Sequence, residues 1–115
     1  MSKLIAYICA PFAADDLHSI GEHVILADGY ARDAQAAGYV PFVPHTCFPV
    51  STEEDREPIL QLELDILRHF DLLWVDGDRL SSGMVGEIDE AMSRRIKIHW
   101  ASADLEEEYR RCLDE

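Results

Sequence analysis

Apolar and polar residues follow one another along the chain in blocks that predict strand, helix, strand and helix from one end to the other. Residues 4–10 form a nearly continuous apolar run that Pro11 stops, which is typical of a strand covered on both faces. The next apolar positions recur at spacings of three and four, which predicts a first helix: Val24, Ala27, Tyr30 or Ala31, Ala34 and Ala37. Gly38 then marks the end of this helix.

Three more strand and helix pairs are predicted after Gly38. Residues 39–43 form a short second strand, whose Pro41 favours an edge position, and residues 58–70 form a helix with an apolar stripe wide enough to predict deep burial. Residues 71–75 and 96–100 predict the third and fourth strands. The helix between them carries Met84 to Met92 and ends at two arginines, and residues 104–113 form the final helix.

This alternation predicts an α/β fold in one domain spanning residues 1–115. With right-handed crossovers, we expect a three-layer Rossmann-like or flavodoxin-like sandwich, with a parallel sheet of about four strands in the order 2-1-3-4. In such sheets, ligands bind beyond the carboxyl ends of the strands, where strands 1 and 3 are adjacent. The expected site therefore involves residues 9–16, 44–48 and 76–83.

Composition narrows the classes of partner. The 23 acidic and 10 basic residues give a formal net charge of −13, which repels nucleic acid and anionic membranes and disfavours a phosphorylated ligand unless local amides hold it. No apolar stretch reaches about 18 residues, and the N-terminal sequence lacks a signal-peptide pattern, so we expect a cytoplasmic protein. Cys9, Cys47 and Cys112 are scattered and lack zinc-ligand spacing, so no metal or cofactor is expected.

The segment after the third strand offers the clearest candidate chemistry. Ser81, Ser82 and Gly83 are small residues that open a helix, and its first amides can hold an anion or a sugar hydroxyl. Glu87 follows about one turn later, where the positive end of the helix favours an ionised carboxylate suited to nucleophilic attack. From spacing alone, the favoured interpretation of Glu87 is an acidic residue that complements the helix dipole, since such residues are common.

Several segments together resemble the nucleoside 2-deoxyribosyltransferase superfamily, in particular its compact uncharacterised branch. They are residues 7–11 (YICAP), residues 34–38, Pro44 and His45, Asp71, and residues 81–87 (SSGMVGE) followed by Ala91. The resemblance implies that Glu87 is the nucleophile, that Tyr7 orients it, and that Glu63 assists the leaving base. Glu63 replaces the shorter aspartate usual at its position. Without the resemblance, a buried structural Tyr7 and a solvent-facing Glu63 are the simpler interpretations.

The remaining candidates line the predicted crevice and are assigned to substrate binding. They are Cys9, Pro11, Phe12, His45, Asp76, Ser81, Ser82, Gly83 and Met84. Ser81 stands where transferases of the family often carry an aspartate for the 5′-hydroxyl, and it is similar to the branch that hydrolyses deoxynucleoside 5′-monophosphates. The loop after strand 1 lacks the glycines and arginines of that branch, so nucleoside and monophosphate both remain possible ligands. Asp76 is alternatively a turn residue.

The expected reaction is cleavage or exchange of the N-glycosidic bond of a (deoxy)nucleoside or its 5′-monophosphate, through a glutamyl-glycosyl intermediate. Water as acceptor gives hydrolysis, and a second base gives transfer. The first alternative is a non-catalytic nucleotide-binding or sensing module on the same scaffold. The second is an acidic interaction protein whose partner docks on the final helix. The resemblance also implies a homodimer or larger homo-oligomer, with a hydrophobic helix face as the contact.

Overall fold

The computed structural model describes residues 3–11, 19–44 and 53–113, and within the last range the side chains from residue 57 onward. The chain forms the alternating strands and helices that the pattern predicts. Their bounds are β1 (Ile5–Cys9), α1 (Ile20–Ala36), β2 (Val40–Phe42), α2 (Glu53–Leu67), β3 (Leu72–Val75), α3 (Ser82–Ser93), β4 (Lys97–Trp100) and α4 (Ala103–Leu113). No helix among the described residues is long and apolar enough to cross a membrane.

The four strands form one parallel sheet in the order β2-β1-β3-β4. Tyr7 in the middle of β1 is in register with Phe42 of β2 and Leu73 of β3. The predicted α/β fold and strand order are therefore confirmed. Because β1 and β3 are adjacent, their carboxyl ends lie side by side, which is where ligands bind in sheets of this type.

The two faces of the sheet carry separate apolar clusters. Ala6 and Ile8 of β1, and Ala10 just after it, pack with Ala31 and Ala34 of α1, whose small side chains allow the helix to approach the strands closely. Alternate residues of a strand point to opposite faces. The other residues of β1 therefore face α2, α3 and α4, and this second cluster includes Tyr7, Cys9, Met84, Ile88 and Tyr109. Strand parity thus places Tyr7 and Cys9 on the face that carries Glu87.

Local capping explains where α1 begins and ends. The Ser19 hydroxyl accepts a bond from the amide of Glu22 at 3.1 Å, and the Glu22 carboxylate accepts one from the amide of Ser19 at 3.2 Å. At the other end, Gly38 has φ of 98°, and the amide of Tyr39 donates to the carbonyl of Ala34 at 3.1 Å. This is the left-handed terminator that the glycine predicts.

The predicted start and burial of α2 are wrong. The helix begins at Glu53, and Pro58 lies inside it rather than at its first turn. A proline marks a helix start only where its missing N–H is already without an intrahelical partner, and here the chain tolerates the loss of one bond further along. Among the described side chains of α2, only Leu67 is fully buried, and Leu62 is 50% exposed.

The predicted assembly into a homo-oligomer, with a hydrophobic helix face as the contact, stays a prediction.

Arg95 provides a test of the explanation given for the end of α1 at Gly38. It has φ of 59° after α3, and the amide of Ile96 donates to the carbonyl of Ala91 at 2.9 Å, the same bond pattern as at Gly38. Arginine is strained in this conformation, whereas glycine is not. We expect Arg95→Gly to raise the free energy of unfolding by about 0.5–1 kcal/mol, measured by urea denaturation. Gly38→Ala should lower it by a similar amount; unchanged stability in both variants would contradict this explanation.

Candidate active site

The candidate site lies where the ends of β1 and β3 meet α2 and α3. β1 contributes Tyr7 and Cys9, α3 contributes Met84 and Glu87, and α2 contributes Glu63. The thiol sulfur of Cys9 lies 3.8 Å from Oε1 of Glu87 and 3.9 Å from the carbonyl oxygen of Met84. Glu63 is close enough to Tyr7 and Glu87 to alter the pKa of both. The structure therefore brings together the three residues predicted to be catalytic.

A tight turn after β3 sets the position of α3. Gly77 has φ of 116°, and a Cβ atom at this residue would lie 2.6 Å from Cδ of Pro11. Asp76 fixes the same turn, since Oδ1 accepts from the amide of Gly77 at 2.8 Å and Oδ2 accepts from the indole N–H of Trp74 at 3.0 Å. Asp76 therefore has the turn role that was the alternative to substrate binding, and both its oxygens already accept hydrogen bonds.

Ser81 begins α3 as its N-cap. The Ser81 hydroxyl accepts from the amide of Met84 at 3.3 Å, and the amide of Ser81 donates to the thioether sulfur of Met84 at 3.4 Å. The amides of Ser82 and Gly83 precede the first residue that can bond within the helix, so they remain available to an anion or a hydroxyl. The small polar residues thus open the helix as the pattern predicts, and Ser81 also has a structural role.

The final helix, α4, packs against α3 and supports it. The sequence analysis did not predict this structural role. The Tyr109 hydroxyl donates to Oδ1 of Asp89 at 2.6 Å, and the Glu108 carboxylate accepts from the amide of Leu80 at 3.4 Å, just before the N-cap. Burial and then the Asp89 carboxylate raise the pKa of Tyr109 to about 12. Leu105 and Tyr109 are four residues apart and both buried, and this spacing was the available signal that α4 packs inward.

Glu87 is buried in a way that the sequence analysis did not predict. The residue is 6% exposed, and Oε2 has no hydrogen-bond partner among the described residues. Burial, followed by the charge of Glu63, raises the pKa of this carboxyl to about 8, against the opposing effects of the nearby Tyr7 hydroxyl and Cys9 thiol. The expectation that the helix dipole keeps Glu87 ionised is therefore wrong. Glu87 is the sixth residue of α3, beyond the first turn where the dipole acts.

Glu63 is a second carboxyl with a perturbed pKa. It is half-buried on α2, and burial raises its pKa to about 7, against the opposing effect of the Tyr7 hydroxyl. Two carboxyl groups that sense one another release their protons as a pair. Near neutral pH, Glu63 and Glu87 therefore hold about one proton between them, so that one is an acid while the other is a base.

Tyr7 completes the buried polar group. Its side chain is fully buried, and the ring centroid lies 5.3 Å from that of Phe70 and 5.8 Å from that of Phe42. Its hydroxyl has no hydrogen-bond partner among the described residues. Burial, followed by the charges of Glu87 and Glu63, raises the Tyr7 pKa far above its usual value, so the hydroxyl keeps its proton. An unpaired donor and an unpaired acceptor in one buried site require an explanation.

The structure describes the surroundings of some of the other predicted binding residues but not of all of them. Pro11 is buried and packs against the Gly77 turn, Met84 is buried beneath the site, and Ser82 is exposed at the start of α3. Phe12 and His45 lie outside the described residues. Among the described residues, no group of three or more histidine, cysteine, aspartate or glutamate side chains is placed to hold a metal ion. The binding roles assigned to these residues stay predictions.

The parallel sheet, with β1 and β3 adjacent in the order β2-β1-β3-β4, defines a doubly wound α/β protein. A solved structure of the 2-deoxyribosyltransferase from the psychrotolerant bacterium Bacillus psychrosaccharolyticus has a similar fold, with a TM-score of 0.55 and 16% sequence identity. The similarity covers 84% of this chain and 70% of that chain. It supports a distant fold relationship, in agreement with the resemblance found in the sequence.

The chain belongs to the family described as a domain of unknown function (DUF7768), whose model matches residues 4–101. The match extends from just before β1 to just after β4, so it includes Tyr7, Glu63 and Glu87. A comparison with the sequences of curated proteins gives no match.

Burial of Glu87 leads to a pH-dependent prediction for stability. Its pKa of about 8 in the folded chain exceeds the ordinary 4.5, so the folded state binds the proton more tightly than the unfolded state does. Stability from this group is present below pH 4.5 and is lost as pH rises towards 8. Glutamine does not titrate. We therefore expect the free energy of unfolding of Glu87→Gln, relative to that of the original chain, to increase by on the order of 2–5 kcal/mol as the pH rises from 4.5 to about 8.

Urea denaturation at pH 5 and pH 9 measures this difference. Glu107→Gln is the matched control, because Glu107 is an exposed glutamate on α4, and it should follow the original chain at both pH values. A constant difference between Glu87→Gln and the original chain would show that Glu87 ionises as readily in the folded protein as in the unfolded one.

Proposed function

We propose that this protein cleaves or exchanges the N-glycosidic bond of a (deoxy)nucleoside or its 5′-monophosphate, with Glu87 as the nucleophile. The observation that carries the proposal is the buried Glu87 carboxyl, which lies near a second carboxyl, Glu63. Its Oε2, like the Tyr7 hydroxyl, has no hydrogen-bond partner within the described part of the chain. The fold supports it as well, because the structurally similar 2-deoxyribosyltransferase is described as a biocatalyst for the synthesis of nucleosides.

The reaction proceeds in two displacements at the anomeric carbon. In the first, a carboxylate oxygen of Glu87 bonds to C1′ while the C1′–N bond breaks, and the base leaves with that electron pair and a proton from Glu63. In the second, water or another base attacks C1′, Glu63 takes the proton, and the ester bond to Glu87 breaks. Water gives hydrolysis, and a second base gives a new nucleoside.

One of the two arrangements of the shared proton suits this sequence. The pKa of Glu87, about 8, exceeds that of Glu63, about 7, so the proton lies mainly on Glu87. The reactive form is the smaller fraction in which Glu63 holds the proton as the general acid and Glu87 is the ionised nucleophile. The Tyr7 hydroxyl remains protonated and can donate to Glu87, which stabilises and orients the ionised carboxylate. A single pair of carboxyls thereby provides both catalytic functions.

The start of α3 is the proposed binding site for the 5′ end of the sugar. The first amides of α3, from Ser82 and Gly83, together with the two serine hydroxyls, offer donors to a 5′-hydroxyl or a phosphate. The net charge of −13 opposes a phosphate, and the helix amides favour it. The choice between nucleoside and monophosphate is therefore part of the experiment.

Chromatographic detection of free base tests the proposal directly. The protein is incubated with a panel of deoxynucleosides, ribonucleosides and their 5′-monophosphates, with and without a second base as acceptor. We expect base release by the original chain, and a loss of more than about 1,000-fold in Glu87→Gln, because the amide cannot form the glycosyl ester. Glu107→Gln is again the matched control and should retain the full rate.

A protein that binds members of the panel without releasing base would contradict the enzymatic proposal and favour the nucleotide-binding module. Equal base release by Glu87→Gln would instead remove Glu87 from the mechanism. Release of base from monophosphates but not from nucleosides would indicate that the start of α3 binds the 5′-phosphate.

The shared proton also determines how activity should depend on pH. Below about pH 7 both carboxyls are protonated and no nucleophile is present, and above about pH 8 both are ionised and no acid remains. We expect a bell-shaped profile of kcat/KM with its maximum between these limits. Glu63→Gln should lower the rate by about 100- to 10,000-fold and remove the alkaline decline. A profile that rises steadily from pH 5 to pH 9 would contradict the role of Glu63.

A further inference from the structure

The thiol of Cys9 occupies a defined place beneath the proposed nucleophile. Its sulfur is fully buried and lies 3.8 Å from Oε1 of Glu87, within the range of a sulfur hydrogen bond. Oε2 of the same carboxyl is buried and has no partner among the described residues. The two oxygens of Glu87 are therefore in different surroundings, although they are chemically equivalent in a free carboxylate.

We propose that Cys9 is a positioning residue that holds Oε1 of Glu87 through a thiol hydrogen bond and leaves Oε2 as the oxygen that bonds to C1′. This inference rests on the proposed function for the identity of the reaction. The hydrogen bond itself is a property of the free protein. The alternative is that Cys9 is only a small apolar residue of the core, as buried cysteines often are.

The thiol has one proton and two acceptors within reach. The carbonyl oxygen of Met84 lies 3.9 Å from the sulfur, nearly as close as Oε1 of Glu87. A carboxylate is a stronger acceptor than a carbonyl, so the ionised form of Glu87 draws the proton towards Oε1. Burial, followed by the charge of Glu87, raises the pKa of Cys9 well above its usual value, so the thiol remains protonated and can donate.

The charged and titratable groups around Oε1 come from three elements. They are Tyr7 and Cys9 on β1, Glu63 on α2, and Glu87 itself on α3. Tyr7 and Cys9 both favour the ionised form of Glu87, whereas Glu63 disfavours it. Because the Cys9 side chain is fully buried against Glu87, this inference replaces the substrate-binding role that the sequence analysis assigned to Cys9. Removal of the thiol should therefore raise the pKa of Glu87 and lower the fraction of ionised nucleophile, while substrate binding remains unchanged.

Infrared spectroscopy tests the hydrogen bond without any substrate. The S–H stretching band of Cys9 is assigned as the band lost in Cys9→Ser, and the carboxyl band of Glu87 as the band lost in Glu87→Gln. In the otherwise unaltered chain, we expect the S–H band to move to lower frequency over the pH range in which Glu87 ionises. An S–H band that stays constant while Glu87 ionises would overturn the inference. The shift is measured in the unaltered chain, and the variants serve only to assign the bands.

Variants supply the second measurement. We expect Cys9→Ala to shift the titration of Glu87 to higher pH, and Cys9→Ser, which retains a donor, to leave it at or below its original position. Cys112→Ala removes the exposed cysteine of α4 and is the matched control, with no shift expected. If base release is observed, Cys9→Ala should lower kcat about threefold to tenfold at unchanged KM, with recovery in Cys9→Ser.

The outcomes separate this inference from the proposed function. A shifted titration in Cys9→Ala, with no base released by any protein, would support the hydrogen bond and remove the proposed reaction. Base release that requires Glu87, with kcat and the Glu87 titration unchanged in Cys9→Ala, would overturn the positioning role and leave the reaction in place.

Discussion

Burial of the Glu87 carboxyl between β1 and α3 is the constraint on which the rest of the site depends. A carboxylate removed from water is strongly destabilised unless opposite charges or hydrogen bonds replace the lost hydration. Here the surroundings are a hydroxyl, a thiol and another acid, and none carries positive charge. The site therefore favours a shared proton, and the proposed roles of Glu63 and Glu87 depend on which of them holds it.

The surrounding fold holds this unfavourable group in place by backbone geometry. The β3 turn reaches its shape only with glycine at position 77, because Pro11 from the end of β1 occupies the space of a side chain. Asp76 fixes that turn, and Ser81 starts α3 immediately after it. From the other side, Tyr109 and Glu108 of α4 hold α3 and its preceding loop. Glu87 remains buried because the helix that carries it is anchored at its start and along its length.

The sequence predicts the sheet well because strand parity and helix periodicity are local. Residues 4–10 and 72–75 are apolar throughout, as a parallel sheet covered on both faces requires, and Gly38 has the terminator conformation that its position predicts. Pro58 was misleading because a proline tolerated within a helix has the same local signature as one that begins it. The exposure of Leu62 depends on which neighbouring elements cover α2, and no local pattern contains that information.

The burial of Glu87 was accessible from the sequence but was not recognised. Met84, Glu87, Ile88 and Ala91 stand at relative positions 0, 3, 4 and 7, and all four are buried. A glutamate inside such a stripe lies on the core face of its helix, where burial raises the pKa and the dipole has little effect. Tyr7 and Cys9 share parity on β1, so their common face was also predictable. The distance between the Cys9 thiol and Oε1 was not, since it depends on the depth at which α3 packs.

The Tyr7 hydroxyl and Glu87 Oε2, which have no hydrogen-bond partner among the residues that the structure describes, connect stability to function. A protein that needed only to fold would do better with an apolar pair in these positions, because buried polar atoms that lack such partners lower its stability. A ligand whose reacting carbon approaches Oε2 and whose hydroxyl groups pair with the remaining atoms would remove that penalty as it binds. Functional sites commonly retain such locally unfavourable arrangements. The instability of this buried acid is therefore best understood as a consequence of the chemistry proposed for it.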